Sequence, residues 1–236
     1  MLCPKSTGIV QLIDSRLEND MTQGIGFLDI DGVRDLSTAV LDDRGRLQVM
    51  PHSFYAQTTT EERALFCVRQ GLYLLPTHNL IEHLKWIIGD RSCIEIGAGN
   101  GVLAEALGIP ATDNFQQNMA AYKELYEAMG QTVVPYGHNV INMDAHEAVD
   151  HFNPDVVVAS WVTHLYDPAY PELGGNELGV REQDVLRGRE YIFIGNEKVH
   201  QSKQIWDIPY FIEYPRWLHS RAFNGSRNFI ATWNAT

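Results

Sequence analysis

Residues 93–101 end an apolar run in an acid and then pass through three glycines at alternate positions, Glu95-Ile96-Gly97-Ala98-Gly99-Asn100-Gly101. A helix-like pattern, Val102–Leu107, follows at once. Few chain paths accept this order. Alternate glycines allow a tight turn and a close approach of backbone to a neighbour, where any Cβ would collide. The helix behind the turn aims unpaired N–H groups and a positive dipole end into it. The stretch therefore predicts a strand–loop–helix unit that holds a nucleotide-type ligand.

The same alternation continues downstream. Strands are expected at Ser92–Ile96, Ile109–Thr112, Thr132–Pro135, Asp155–Ser160 and Tyr191–Gly195. Helices are expected at Val102–Leu107, Phe115–Met129, Ala145–Phe152 and Arg181–Arg187. The run Asp155–Ser160 is apolar without alternation, as in a strand covered on both faces. Repeated βα units imply a doubly wound, mostly parallel α/β sheet. Two strand-like runs, Tyr210–Trp217 and Asn228–Trp233, flank an Asn224-Gly225-Ser226 turn and predict an antiparallel C-terminal edge.

The N-terminal part reads differently. Short apolar runs (Gly8–Ile13, Gly26–Ile30) alternate with acids and glycines up to residue 57. Asp29-Ile30-Asp31-Gly32 superficially matches a phosphatase-type aspartate site but reads first as a turn. From Thr58 the pattern becomes helical, with Thr58–Thr60 and Glu61-Glu62 forming a helix start and Leu74-Leu75-Pro76 ending that helix. Residues 1–76 are expected to be an extension and helical cap, and 77–236 the α/β domain.

Charge and cysteine usage narrow the function. The chain of 236 residues has 30 acids against 18 lysines and arginines, a net charge of −12. Nucleic-acid binding draws on a basic surface that displaces counterions, so this balance disfavours it. No run approaches the ~20 apolar residues of a membrane helix, and the N-terminus lacks a sustained apolar segment of the secretory kind. Cys3, Cys67 and Cys93 form no metal-binding spacing and read as free thiols in a reducing cytoplasm.

A dinucleotide fold would continue G-x-G-x-x-G/A and place an acid about 20 residues further on. From Gly97 the third position is Val102, and from Gly99 the acid's position, 121, is alanine. The E-x-G-x-G-x-G run instead resembles motif I of the class I S-adenosylmethionine-dependent methyltransferases. Val140-Ile141-Asn142-Met143-Asp144-Ala145, followed by Pro154-Asp155-Val156-Val157-Val158, resembles that family's later motifs. The resemblance covers roughly residues 77–200. It implies S-adenosylmethionine as cofactor, its amino-acid end at Glu95, Gly97, Ala98, Gly99 and Gly101. It implies that Asp144 and the Ala145 N–H read the adenine, and that Asp113 grips the ribose. Asp113 stands only 12 residues past Gly101, a shorter helix-plus-strand than the family's usual one.

The resemblance further implies methyl transfer to a small-molecule acceptor. The other readings are an S-adenosylmethionine-binding regulatory or assembly protein without turnover, and a nucleic-acid or protein methyltransferase. Ser160 and Trp161, after the fourth parallel strand, are expected beside the cofactor. His164, with an ordinary pKa near neutrality, is the candidate general base. Tyr73, Asn196 and His200 are candidate acceptor contacts. The (N/D)PP(Y/F) run of amino-methylating DNA enzymes is absent from Ser160-Trp161-Val162-Thr163, and no cysteine follows Cys93 to serve as a nucleophile on cytosine.

Overall fold

The computed structural model describes residues 31–235 and the backbone of 9–13 and 25–29. Cys3 and the first eight residues lie outside the described set. The strands β1 (Ile9–Ile13) and β2 (Ile25–Asp29) pair as an antiparallel hairpin. Four helices follow: α1 (Ser37–Val40), α2 (His52–Tyr55), α3 (Thr60–Arg69) and α4 (His78–Ile88). Thr59 caps α3 in a reciprocal box with Glu62, and the Thr77 hydroxyl accepts the Leu80 N–H at the start of α4. Between these two helices lies the short strand β3 (Leu74–Leu75).

The main body alternates strand and helix: β4 (Cys93–Ile96), α5 (Val102–Leu107), β5 (Ala111–Asp113), α6 (Ala120–Ala128), β6 (Val140–Asn142), α7 (Ala145–Phe152), β7 (Val156–Ser160), α8 (Glu182–Leu186) and β8 (Glu190–Asn196). The chain closes with β9 (Phe211–Glu213), β10 (His219–Ser220) and β11 (Asn228–Trp233). Seven strands form one sheet in the order β6-β5-β4-β7-β8-β11-β9. Those from β6 to β8 are parallel, and β11 runs antiparallel to both β8 and β9. The fold is therefore the doubly wound α/β class, with an antiparallel C-terminal edge.

The period-two alternation of a strand sorts the core into two layers. Ile94, Ile96, Val157, Ala159, Tyr191 and Phe193 pack with Ala148 and Val149 of α7 and with Val185 and Leu186 of α8. Cys93, Val156, Val158, Ile192 and Ile194 face the other way, onto Leu80, Leu84 and Ile88 of α4 and Leu103 of α5. Glu95 alternates with Ile94 and Ile96, so it belongs to the α4–α5 side. A smaller apolar cluster joins Leu36, Val40, Tyr55, Phe66 and Leu75 in the N-terminal helices. It is tied to the C-terminal part by β3, which pairs with β10.

Three expectations need correction. Thr132–Pro135 is not a strand; the third parallel strand is β6, Val140–Asn142, and residues 131–137 are irregular. The reason is where their hydrogen bonds go. Thr132 N–H donates to Val68 O, Val134 N–H to the Gln117 side chain, and Gly137 N–H to Gly99 O, so the segment bridges α3 and the glycine loop. The helix expected over Phe115–Met129 begins as a 3-10 turn, Gln116–Asn118, and becomes α6 only at Ala120. The strand expected over Tyr210–Trp217 shortens to Phe211–Glu213. No helix among the described residues is long and apolar enough to cross a membrane.

Candidate functional site

Strands β4 and β7 are neighbours in the sheet, but the chain leaves β4 toward β5 and returns at β7 on its other side. That reversal opens a crevice at the carboxyl ends of the strands, the usual ligand position in such sheets. A cavity of about 1120 Å³ lies there. Its wall includes Gly97 and Gly99 after β4, Asp113 at the end of β5, Asp144 and Ala145 after β6, Ser160 at the end of β7 and Trp161 after it. Tyr73 and His200 also line it.

The glycine loop is built by internal packing as well as by turning. Gly97, Gly99 and Gly101 all have positive φ, at 58°, 54° and 71°. A Cβ on Gly97 would overlap Val162 Cγ1, and one on Gly101 would lie 2.7 Å from Val140 Cγ2. Glu95 lies behind the loop, away from the cavity. Its carboxyl accepts the Ala104 N–H at 2.9 Å, supplying the helix cap that the side chain of Gly101 lacks. Burial pushes this carboxyl up to about 8, so it is largely protonated at neutral pH. Ala98 is buried and its N–H donates to Thr112 O.

Asp113 is held from several sides. One oxygen accepts the Gly99 N–H at 3.0 Å and the other the Phe115 N–H at 2.9 Å. The Tyr136 hydroxyl also bonds its carboxylate. Burial raises the Asp113 pKa while these N–H donors oppose the rise. Phe115 has a positive φ of 55°, and its ring stacks on Tyr136 at 4.2 Å.

Asp144 uses its carboxylate differently. Oδ1 takes both the His146 and Glu147 N–H groups of α7, in a capping box with Glu147. The side chain is exposed, and the Ala145 N–H, in the first turn of α7, points out of the helix without an intrahelical acceptor. A carboxylate oxygen thus lies beside a backbone donor on the cavity wall.

The loop after β7 carries unpaired polar atoms. Trp161 sits at φ 59°, a left-handed conformation that a bulky residue rarely adopts. Its Nε1, the Ser160 Oγ and the Gln116 Oε1 are buried without a hydrogen-bond partner among the described residues. All three residues line the cavity. Buried polar groups are nearly always satisfied, so these atoms leave hydrogen-bonding capacity open on the cavity wall.

His164 and Asn196 do not line this cavity. His164 borders a separate void of about 20 Å³ with Lys203, and burial together with Lys203 lowers its pKa. Asn196 is fully buried and knots the 224–228 turn together, donating to Ser226 O and Arg227 O and accepting from Asn224 and Ser226. His200 borders both spaces. Its Nδ1 accepts the Asn196 N–H at 2.9 Å, so its proton sits on Nε2, and burial keeps the ring neutral.

Tyr73, a candidate acceptor contact from the sequence, is on the wall; Tyr126 and Gln117 beside it have no signature in the sequence, and Lys203 lies off the wall at the smaller void. Tyr73 bonds Tyr126 through their hydroxyls at 2.5 Å and receives the Gln117 amide at 3.2 Å. Lys203, fully buried, pairs with Glu182 at 2.9 Å and donates to Val162 O at 2.7 Å, thereby fixing the residue that packs on Gly97. Only the run of polar residues from Asn196 to Lys203, beside an apolar strand, hinted at this last group.

No protein-family model matches the sequence, and no curated protein matches it. The chain is similar to solved methyltransferase structures. A ribosomal-protein methylase from Lactobacillus delbrueckii subsp. bulgaricus is 16% identical, with a TM-score of 0.32 over 67% of this chain and 79% of that one. A precorrin-6y methyltransferase from Geobacter metallireducens is 13% identical, with a TM-score of 0.35 over 67% and 89%. An O-methyltransferase family protein from Burkholderia thailandensis is 11% identical, with a TM-score of 0.35 over 80% and 64%.

Proposed function

We propose that the protein binds S-adenosylmethionine in the switch-point cavity and transfers its methyl group to a small molecule held in the same space. The observation that carries this reading is the wall itself: the glycine loop, a carboxylate oxygen beside the Ala145 N–H, and unpaired buried atoms on Ser160, Trp161 and Gln116. An adenine edge offers one donor and one acceptor side by side, the complement of Asp144 and Ala145. The methionine end, with an ammonium and a carboxylate, suits the carbonyls and remaining N–H groups of the glycine loop. When bound, S-adenosylmethionine supplies an electrophilic methyl group on a sulfonium.

The chain's own part is mainly alignment and exclusion of water. Trp161 and Tyr73, with ring centroids 5.9 Å apart, form an aromatic part of the cavity wall. His200 stays neutral and presents Nε2–H, which makes it a donor that orients rather than a base that removes a proton. His164, the expected base, lies outside the cavity. Of the carboxylates on the wall, Glu177 is the proton acceptor left for a bound acceptor, since Asp113 clasps the glycine loop and Asp144 faces the adenine.

Titration calorimetry with S-adenosylhomocysteine tests the reading. Saturable one-to-one binding is expected, and a heat trace indistinguishable from dilution at millimolar ligand would contradict it.

A further inference from the structure

Arg221 lines the cavity beside Tyr73 and is 7% exposed. Its guanidinium stacks 4.5 Å over the Tyr73 ring, and Nη2 donates to Gln131 Oε1 at 2.7 Å. Both partners are neutral. Its field also reaches the Cys67 thiol, which burial pushes up to about 12, and the Tyr126 phenol, which burial raises as well. Neither group carries charge at neutral pH. Among the described residues no carboxylate pairs with Arg221, although it borders the cavity.

Lys203 shows what the fold does elsewhere with a cation of equal burial: it sets Glu182 against it at 2.9 Å. A buried cation without a counter-ion is costly. An arginine cannot relieve that cost by losing its proton. The remaining donors of a guanidinium fork match a carboxylate. Around it, Tyr73, Tyr126, Leu125, Met129 and Phe223 give the cavity an apolar and aromatic wall.

We propose that Arg221 is the docking point for a carboxylate on the methyl acceptor, a small molecule whose body is apolar or aromatic. The inference rests on the methyl-transfer reading for the word acceptor, but the anion site itself stands on the geometry of Arg221. The other source of a carboxylate in this cavity is the cofactor's amino-acid end, and the experiment separates the two.

A series of aryl and alkyl carboxylates, each paired with its uncharged amide, would be titrated into the protein with and without saturating S-adenosylhomocysteine. The acids are expected to bind better than their amides. The preference should disappear in Arg221→Gln, through a ~10- to 100-fold loss for the acids, and survive in part in Arg221→Lys. S-adenosylhomocysteine should bind the wild type and Arg221→Gln alike. No acid preference in the wild type, or one that persists in Arg221→Gln, overturns the proposal. A tenfold loss of S-adenosylhomocysteine affinity in Arg221→Gln also overturns it, by giving the arginine to the cofactor.

If Arg221→Gln does not fold, phenylglyoxal labelling of the wild type decides the matter. Arg221 should be protected by the acids and not by the amides, and equal labelling under both would overturn the assignment. A wild type that shows acid preference without binding S-adenosylhomocysteine would sink the methyl-transfer reading while leaving the anion site standing.

Discussion

The two ends of the cavity wall are built on opposite principles. At the β4–β5 end, the residues that stand out in the sequence are absorbed by the protein itself. Glu95 caps α5, Asp113 clasps the Gly99 and Phe115 N–H groups, and the missing Cβ of Gly97 makes room for Val162. At the β6–α7 end, Asp144 spends one oxygen on its helix and remains exposed beside an open N–H. The lesson is that an acid or glycine at a motif position can be required by the loop's own stability. Ligand recognition then falls to fewer atoms than the motif contains.

Substitutions can break or sharpen this contrast. The largest effect is expected from Gly97→Ala. A left-handed backbone costs an L-residue about 1–2 kcal/mol, and overpacking against Val162 adds about 1–3 kcal/mol. Chemical denaturation should show a loss of about 3 kcal/mol, part of it recovered in the double variant with Val162→Ala. Equal losses in single and double variants would mean that Val162 does not dictate the glycine.

Asp113→Ala comes next, since it strands two backbone donors, at about 1–3 kcal/mol if they stay unsatisfied. A large loss of stability accompanied by a smaller loss of S-adenosylhomocysteine affinity per folded molecule would mark Asp113 as chiefly a loop clasp. The reverse ranking would make it a ligand contact first.

Asp144→Ser separates cap from recognition. Serine keeps the N-cap bond, so stability should change by less than about 0.5 kcal/mol, while S-adenosylhomocysteine affinity should fall on the order of tenfold. An unchanged affinity would remove Asp144 from the site.

Near pH 5 the smallest effect belongs to Glu95→Gln. The folded pKa of about 8 stands above the ordinary carboxyl value of 4.5. Between these values the folded state holds a proton that the unfolded state has released, so stability contributed by Glu95 is full below the lower value and is lost as pH rises through about 8. Glutamine should abolish that decline while barely changing stability near pH 5. A decline of equal slope in the variant would assign the pH dependence to another group.

Much of this arrangement was legible in the sequence. The last strand, Asn228–Trp233, and the helix Ala145–Phe152 fall where pattern alone puts them, because each presents a regular apolar face to the sheet. Gly97, Asp113, Asp144 and Ala145 were named together by the family resemblance, whereas βα alternation alone put the third parallel strand at Thr132–Pro135, too early to place Asp144 and Ala145. Val133 and Val134 misled: they are β-branched and apolar, yet they pack as an irregular bridge against Gly71 and Gly99. Tertiary hydrogen bonds, not propensity, decide that segment. His164 and Asn196 looked like polar residues at a ligand edge, but the sequence cannot say which side of a loop a residue faces. Arg221 was invisible for a related reason. Its role depends on Tyr73 and Gln131, which are distant in the chain and carry no pattern that links them to it.

We propose that the switch-point cavity holds S-adenosylmethionine with recognition concentrated at Asp144 and Ala145. Calorimetry of S-adenosylhomocysteine on wild type and Asp144→Ser, at matched folded concentration, tests it most directly. One-to-one binding in the wild type and a roughly tenfold weaker constant in the variant is the expected result. No binding to the wild type, or equal affinity in the two, would contradict it.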